Sequence, residues 1–549
     1  MKKVSLLISL LLVFVTVLGS LCGCSFRKNE NSSNEKATYD NFIDIGIYKI
    51  IRPDVCDNAV IKSVSNLKAD LLKYTGADVQ VAIDSDTESD VYEILVGKTD
   101  RKESADAYAE LSKKKNSQAL IIKVVGNKIV ILGSDDNYTA LAVKRFILAY
   151  VAPSKYEGRL SLKRENMTKI GTAGEILTVG PDGQIVVLEK KSTVFDPDNV
   201  FDIEERTYPK IIKLENQPDP KNNGVLIATN ENTKMRPWSL YRSKDDGETW
   251  EVLDPYRNDV ATDASPGYQP YLFELPADVG AYKKGTVLFS ACVYNASRTA
   301  LIIAGSTDLG ETWKGIGEIV EGGTDAPDRW EQDGVWEPVI IYDEETKRLY
   351  CFYSDESDPK YEQKLAYRYT TDLVNWSDTY SVTGDVNYGV GMVALTKMGN
   401  GKWALAFECC KIGEITLPVH IKYTDRLDTW NVPDLGKEVR DNRGIGLECA
   451  PSMVWSPAGG DKGVIVLCAY KGMRSTTGSK CDLFFSFDYG NSFVSVKNPL
   501  NVKKDDANKS SYSPGFYVDK EGAIYYINNP PLASGLVSGK LEMAKIVVY

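Results

Sequence analysis

The stretch SKDDGETW, Ser243 to Trp250, returns as STDLGETW, Ser306 to Trp313. Weaker copies are TTDLVNW, YTDRLDTW and SFDYGNSF, so the closing aromatics fall at 250, 313, 376, 430 and 493, spaced by 63, 63, 54 and 63 residues. A regular period of this kind marks a repeated supersecondary unit that buries its apolar face against its neighbours. The motif reads as a hairpin turn. Its Asp bonds backbone amides within the turn, its Gly takes the positive φ, and the final aromatic packs between adjacent sheets. From about residue 170 onward strand-like runs follow one another without a long helical pattern.

The pattern S-x-D-x-G-x-T-W resembles the Asp box of sialidase-like propellers, and the first two copies match it fully. That resemblance implies that the boxes are structural and lie away from the active face. Five copies, with the strands around YSPGFYVDKEGAIYYINN, lead to an all-β six-bladed β-propeller over 170–549. Strands from near residues 173 to 190 close the ring, and closure protects the sheet edges.

The region before it has another character. Residues 40–165 read as a small α/β domain: NAVIKSVSNLKADLLKYTG has apolar residues at helical spacing and a Gly stop, and DNYTALAVKRFILAYV is a second amphipathic helix. DVQVAI, YEILVG and ALIIKVVGNKIVILG are short strands. This arrangement resembles the small domain preceding the catalytic domain of several glycoside hydrolases, and it shows no catalytic constellation of its own. Upstream, MKK and an apolar run ending in LCGC, Leu21 to Cys24, resemble the signal peptide and lipobox of a bacterial lipoprotein. Residues 1–23 are then the signal peptide, Cys24 the lipidated first residue, and 24–39 a flexible tether. The implied location is the extracellular face of a bacterial membrane, lipid-anchored. An ordinary signal peptide or an uncleaved anchor helix is the other reading of the same run.

A net charge of −11 argues against a nucleic-acid partner. The cysteines beyond Cys24 have neither CxxC metal spacing nor the density of a disulfide scaffold. With one histidine, His420, a Ser-His-Asp triad or a multi-histidine metal site has little to be built from. No metal and no cofactor is expected.

In a propeller the inner strand of each blade carries side chains to a central pocket, so polar residues at the ends of apolar strands are the candidates. Glu337 stands between Trp336 and Pro338 where VIIYD begins, and Glu408 ends KWALAFE, 71 residues on and about one blade away. Glu448 in GLECAPSMVW, Tyr512 in SSYSPGFYV and Tyr388 in DVNYGVG are further candidates. Each carboxylate is either a solvated strand-end charge or a group held for chemistry. A retaining glycosidase needs two carboxyl groups about 5–5.5 Å apart, one protonated and one ionised. Apolar surroundings and a neighbouring carboxylate would both keep Glu337 protonated.

Residues 333–490 resemble the family 93 glycoside hydrolases, exo-acting arabinanases of the sialidase-like superfamily. The matching runs are VWEPVIIY…RLYCFYSD, KLAYRYTTDLVNW, GMVALTKMGNGKWALAFE, LPVHIKYTDRLDTW and APSMVWSPAGGDKGVIVLCA. By that resemblance Glu337 is the general acid/base and Glu408, placed on the inner strand of the next blade, the nucleophile. Trp336, Tyr388, Glu448 and Tyr512 become substrate contacts. The chain departs from the family at Cys409-Cys410-Lys411 and at Gly389-Val390-Gly391-Met392, where the family often carries Arg-Pro-Gly-Met. The expected function is a membrane-tethered exo-acting retaining hydrolase of arabinan-like or related polysaccharides. An exo-sialidase using Arg206, Arg443 and Arg474, and a non-catalytic glycan-binding propeller, are the alternatives.

Overall fold

The computed structural model describes residues 42–113, 117–154, 159–161, 169–196, 206–232, 238–262, 265–295, 297–323, 333–410, 416–470, 482–500, 512–529 and 539–549. The expected signal peptide, Cys24 and the tether lie outside these residues, as do Lys411 and Arg474.

Six antiparallel sheets form the blades of a propeller, five with four strands and a sixth with five. The inner strands of blades 1 to 6 are Arg206–Lys213, Ser265–Glu274, Val335–Asp343, Val390–Lys397, Ser452–Ser456 and Gly515–Val518. Blade 6 is assembled from both ends of the ring. Its strands Gly515–Val518, Ile524–Asn528 and Leu541–Val548 are completed by Ile185–Phe195 and Glu175–Val179 from the N-terminal side. Val186 faces Val548 in that closing pair, and both are buried.

The repeated turn joins the third and fourth strands of blades 1 to 5, as between Trp238–Ser243 and Glu251–Tyr256. In the first copy Asp245 accepts from Thr249 N at 2.9 Å and from the Thr249 hydroxyl at 2.6 Å. Asp308 and Asp488 hold Thr312 and Ser492 in the same way. Blade 6 has no place for a sixth copy, because its third and fourth strands come from opposite ends of the propeller sequence. Five turns for six blades is a consequence of closure.

The residue after the turn's Asp, or in blade 4 the second residue after it, packs on the preceding blade. Leu309 packs on the core holding Ile227, Leu373 on that holding Leu275, Leu427 on that holding Phe352, and Tyr489 on that holding Ile421. At the closing seam that position is Asp246. Its carboxylate accepts from Lys545 Nζ and from the Tyr525 hydroxyl of blade 6, each at 2.6 Å.

The N-terminal region is a six-stranded mixed sheet in the order Gln80–Ile83, Lys49–Arg52, Glu93–Val96, Lys128–Gly133, Ala119–Val125, Lys169–Thr172. The last strand extends this unit past residue 165. Helices Asn58–Thr75 and Asp136–Phe146 coincide with the two amphipathic runs. A third helix, Lys102–Ser112, escaped notice because it buries only Ser104, Ala107 and Leu111, a face with one large apolar residue. The core under Asn58–Thr75 and Asp136–Phe146 continues into Ile185 and Val187 of blade 6, and Arg145 pairs with Glu189 at 3.1 Å. The small unit thus covers the outer rim of the closing blade. Among the described residues no helix is long and apolar enough to cross a membrane.

Candidate active site

Each inner strand begins with a kink on one face of the ring. Tyr208, Gln269, Glu337, Met392, Ala450 and Ser513 all have positive φ, at 49°, 56°, 63°, 64°, 49° and 52°. In blades 1 to 4 the strand register slips there, as between Trp336 and Val339. A bulge leaves an amide without a ladder partner and re-aims a side chain. In five of the six blades the next residue is proline, namely 209, 270, 338, 451 and 514, which has no N–H to leave unpaired. Glu337 lies between Trp and Pro because it is the bulge residue of blade 3.

The bulge amides are capped by side chains from the blade before. Gln269 N donates to Glu231 Oε2 at 2.9 Å, Glu337 N to Gln269 Oε1 at 3.2 Å, Met392 N to Glu337 Oε2 at 3.2 Å, and Ala450 N to Glu408 Oε2 at 2.7 Å. Non-glycine residues at positive φ cost of order 1–3 kcal/mol each and persist where surrounding structure over-determines them. This relay is that surrounding structure.

Glu337 is half-buried in the throat of the ring. Ser354 Oγ donates to its Oε2 at 2.7 Å and the Tyr208 hydroxyl to its Oε1 at 3.4 Å. Burial pushes the carboxyl up to about 8, the charges of Glu408 and Glu356 add to that, and the bonds from Ser354 and Met392 N oppose it. At neutral pH it is an acid holding its proton. Lys210, two residues beyond Tyr208, is pushed down to about 7 by burial, against the pull of Glu337. Both side chains line an axial cavity of about 450 Å³, whose wall is completed by inner-strand residues including Tyr271, Val393 and Met453.

Glu408 corrects one expectation. It ends the second strand of blade 4, Trp403–Cys409, and not the inner strand, where its partner is Gly391. Inner strands leave this face and second strands return to it, so both positions lie at the same end of the ring, Glu337 on the wall of the axial cavity and Glu408 outside its lining. Glu408 and Glu337 are close enough for each charge to act on the other's surroundings: Glu408 raises Glu337 and also the Cys449 thiol and the Tyr208 phenol.

Tyr512 joins the cluster. Its ring lies 5.3 Å from that of Tyr208 and 5.1 Å from that of Tyr470, and the Cys449 thiol donates to its hydroxyl at 3.8 Å. The neighbouring Tyr208, then burial, hold its phenol well above the ordinary tyrosine range. The remaining candidates sit differently. Trp336 turns its indole N–H onto Glu356 Oε2 at 2.8 Å, and its ring is 6.4 Å from that of Tyr268, outside the axial cavity. Tyr388 is half-buried in the loop entering the inner strand of blade 4. Glu448 is buried, paired through its backbone with Pro418, one residue behind Cys449. His420 is a strand residue of blade 4, with Nδ1 at 2.9 Å from Leu435 O. Of the arginines, Arg206 is buried and stacks over Phe195 at 4.4 Å, while Arg443 pairs with Asp441 at 2.8 Å.

Tyr208, Lys210, Glu231, Gln269, Ser354 and Cys449 were not anticipated. For Tyr208, Lys210, Gln269 and Cys449 the signal was the x-Pro step recurring at five of the six inner-strand starts, TYPK, YQPY, WEPV, CAPS and YSPG, whereas Glu231 and Ser354 lie on second strands and carry no such mark. Among the described residues no group of three or more His, Cys, Asp or Glu is arranged to hold a metal ion.

No protein-family model matches the chain, and no curated protein matches it at a significant level. Solved structures do. An α-L-arabinanase from Penicillium chrysogenum, complexed with arabinobiose, is 25% identical with a TM-score of 0.54, over 65% of this chain and 98% of its own. An α-L-arabinofuranosidase from Fusarium graminearum, in complex with an iminosugar inhibitor, is 24% identical with a TM-score of 0.54, over 66% of this chain and 98% of its own. The family 93 α-L-arabinofuranosidase of the same fungus with arabinobiose gives 24% and 0.54, over 65% and 97%. The chain is a six-bladed propeller similar to these enzymes.

Proposed function

We infer that the protein is a glycoside hydrolase acting on arabinan-like chains from one end with retention of configuration. The observation that carries this reading is a buried carboxyl that keeps its proton to about pH 8 within the electrostatic reach of Glu408, a second carboxyl group from the next blade at the same end of the ring. Glu337 gives its proton to the glycosidic oxygen while Glu408 attacks the anomeric carbon, forming a glycosyl ester. Glu337, now a carboxylate, takes a proton from water, whose oxygen displaces Glu408. The Ala450 amide on Glu408 Oε2 fixes the nucleophile's orientation. Similarity to arabinose-polymer enzymes supports the substrate class.

A sialidase would present arginines to the substrate carboxylate. Arg206 and Arg443 are instead engaged with Phe195 and Asp441, and the acidic groups around Tyr208 (Glu337, Glu408 and Glu231) outnumber the lysine on the cavity wall, Lys210. That field repels an anionic sugar and suits a neutral one. Tethering through a lipid on Cys24, at the outer face of a bacterial membrane, is part of the same proposal and fits an enzyme working on polymers outside the cell. Radiolabelled fatty acid incorporated into the full chain but not into Cys24→Ala would establish it.

The roles of the two glutamates are separated by leaving-group ability. Glu337→Gln should retain hydrolysis of an arabinoside with an activated aryl leaving group while losing arabinan, and Glu408→Gln should lose both. The reverse pattern would exchange the two roles.

A further inference from the structure

Among the described residues, the axial cavity has one cationic side chain on its wall, Lys210, that the double displacement does not use. Lys210 follows the bulge Tyr208-Pro209 on the inner strand of blade 1, and its Nζ donates to Ser513 O at 3.2 Å and Ser513 Oγ at 3.3 Å, across the seam to blade 6. Its ammonium is 5.9 Å from the centre of the Tyr208 ring, whose hydroxyl bonds Glu337. Lys210 and Glu337 wall the same cavity. The cation is therefore anchored and half-buried on the wall that it shares with the acid.

We propose that Lys210 is a positioning residue for Glu337: its anchored charge determines how readily Glu337 parts with and recovers its proton. When Glu337 gives its proton to the departing sugar oxygen, the carboxylate left behind gains the field of the ammonium, so the acid is strengthened during bond cleavage. When water returns a proton to Glu337, the charge is neutralised and that field is no longer needed. No proton need pass between the two groups, and no further reactant enters.

The other groups around Glu337 all work in the opposite sense or are neutral. Glu408 from blade 4 and Glu356 from blade 3 raise it, and Ser354 and the Met392 amide hold its carboxylate form by hydrogen bonds alone. Tyr208 and Tyr512, from blades 1 and 6, and the Cys449 thiol from blade 5 are all held in their neutral forms by burial and by these carboxylates. Lys210 is thus the positive group set against them. Because an amine and a carboxyl in one cavity titrate as a pair, the wild-type protein should show a spread titration in place of a single sharp one.

Two substitutions fix the charge at either extreme. Lys210→Arg keeps a positive charge at all working pH values, and Lys210→Met removes it at similar length. The measurement is the pH midpoint of the Glu337 carboxylic C=O band by infrared difference spectroscopy, assigned by its absence in Glu337→Gln. The expected midpoint in the Arg form is lower than in the Met form by about one pH unit or more, with wild type between them. Equal midpoints in two variants that fold, as judged by circular dichroism, would overturn the proposal, as would displacement of both to the same side of wild type. This titration does not depend on turnover. If the midpoints separate as expected while no form cleaves arabinan, the role of Lys210 stands and the glycosidase reading fails. If arabinan is cleaved, the alkaline limb of kcat/KM should follow the infrared midpoint from variant to variant.

Discussion

The amide of Met392 donates to Glu337 Oε2 at 3.2 Å, although the two residues open the inner strands of neighbouring blades. The chain departs from the family it resembles just upstream, at Gly389-Val390, and shares Gly-Met at Gly391-Met392, where the backbone supplies the contact whatever side chain is present. A residue that keeps the bulge conformation can change without loss of the hold on the acid. The contact ties the acid's geometry to the ring itself.

The alkaline limit of activity follows from Glu337. A general acid must carry its proton, and burial pushes this one up to about 8. The acid form therefore dominates below that value and is lost as pH rises through it. kcat/KM on arabinan should fall tenfold per unit above about pH 8, and a limb near the ordinary carboxyl range would contradict the burial argument.

Removing the Ser354 hydroxyl should move that limb upward. Ser354 stabilises the carboxylate by a bond of 2.7 Å and so lowers the proton affinity of Glu337. In Ser354→Ala the limb should rise by roughly half a unit to one unit, as expected for loss of one hydrogen bond to a charged group. Activity near neutrality should change much less than in Glu337→Gln.

Tyr208→Phe tests the other oxygen. Its hydroxyl bonds Glu337 Oε1 at 3.4 Å, a long contact, and also approaches Met392 Sδ at 3.7 Å. The ring's packing against Tyr512 survives the substitution. Loss of kcat by about tenfold with little change in folding stability is the expected result, read from steady-state kinetics beside denaturant unfolding.

The closing seam makes a stability prediction away from the pocket. Asp246 binds Lys545 and Tyr525 where the four other turns place Leu or Tyr. Its side chain is 37% exposed, which reduces the value of the charge. Asp246→Ala should cost roughly 1–2 kcal/mol, removing the acceptor of the Lys545 amine and leaving the Tyr525 phenol only its longer bond to Asp519 Oδ2 at 3.4 Å. The loss should be smaller in high salt, and kcat on folded protein should be unchanged. Equilibrium urea unfolding at two ionic strengths measures both.

Much of this architecture was legible because the turn repeat is written in residues that serve backbone geometry. Asp245 and Gly247 recur as Asp308 and Gly310 and as Asp488 and Gly490, whatever lies between. The missing sixth copy was readable as closure. Glu337 and Glu408 were visible as charges at the ends of apolar strands. The strand that carries Glu408 was misplaced, because residue spacing gives the distance between blades and not the direction in which a strand runs. Glu231 was hidden for a different reason: it lies in a polar local sequence, TNENT, where a charge attracts no notice. Only closure of the ring brings residues from opposite sides of it to the same pocket. The helix Lys102–Ser112 was missed because small residues make a weak periodic signal.

The most direct measurement is hydrolysis of linear arabinan by the purified protein, beside Glu337→Gln and Glu408→Gln, with a sialoside as second substrate. The account predicts release of short arabino-oligosaccharides by the wild type, lowered at least a hundredfold in both variants. Equal rates in the three proteins, or release of sialic acid in place of arabinose, would contradict it.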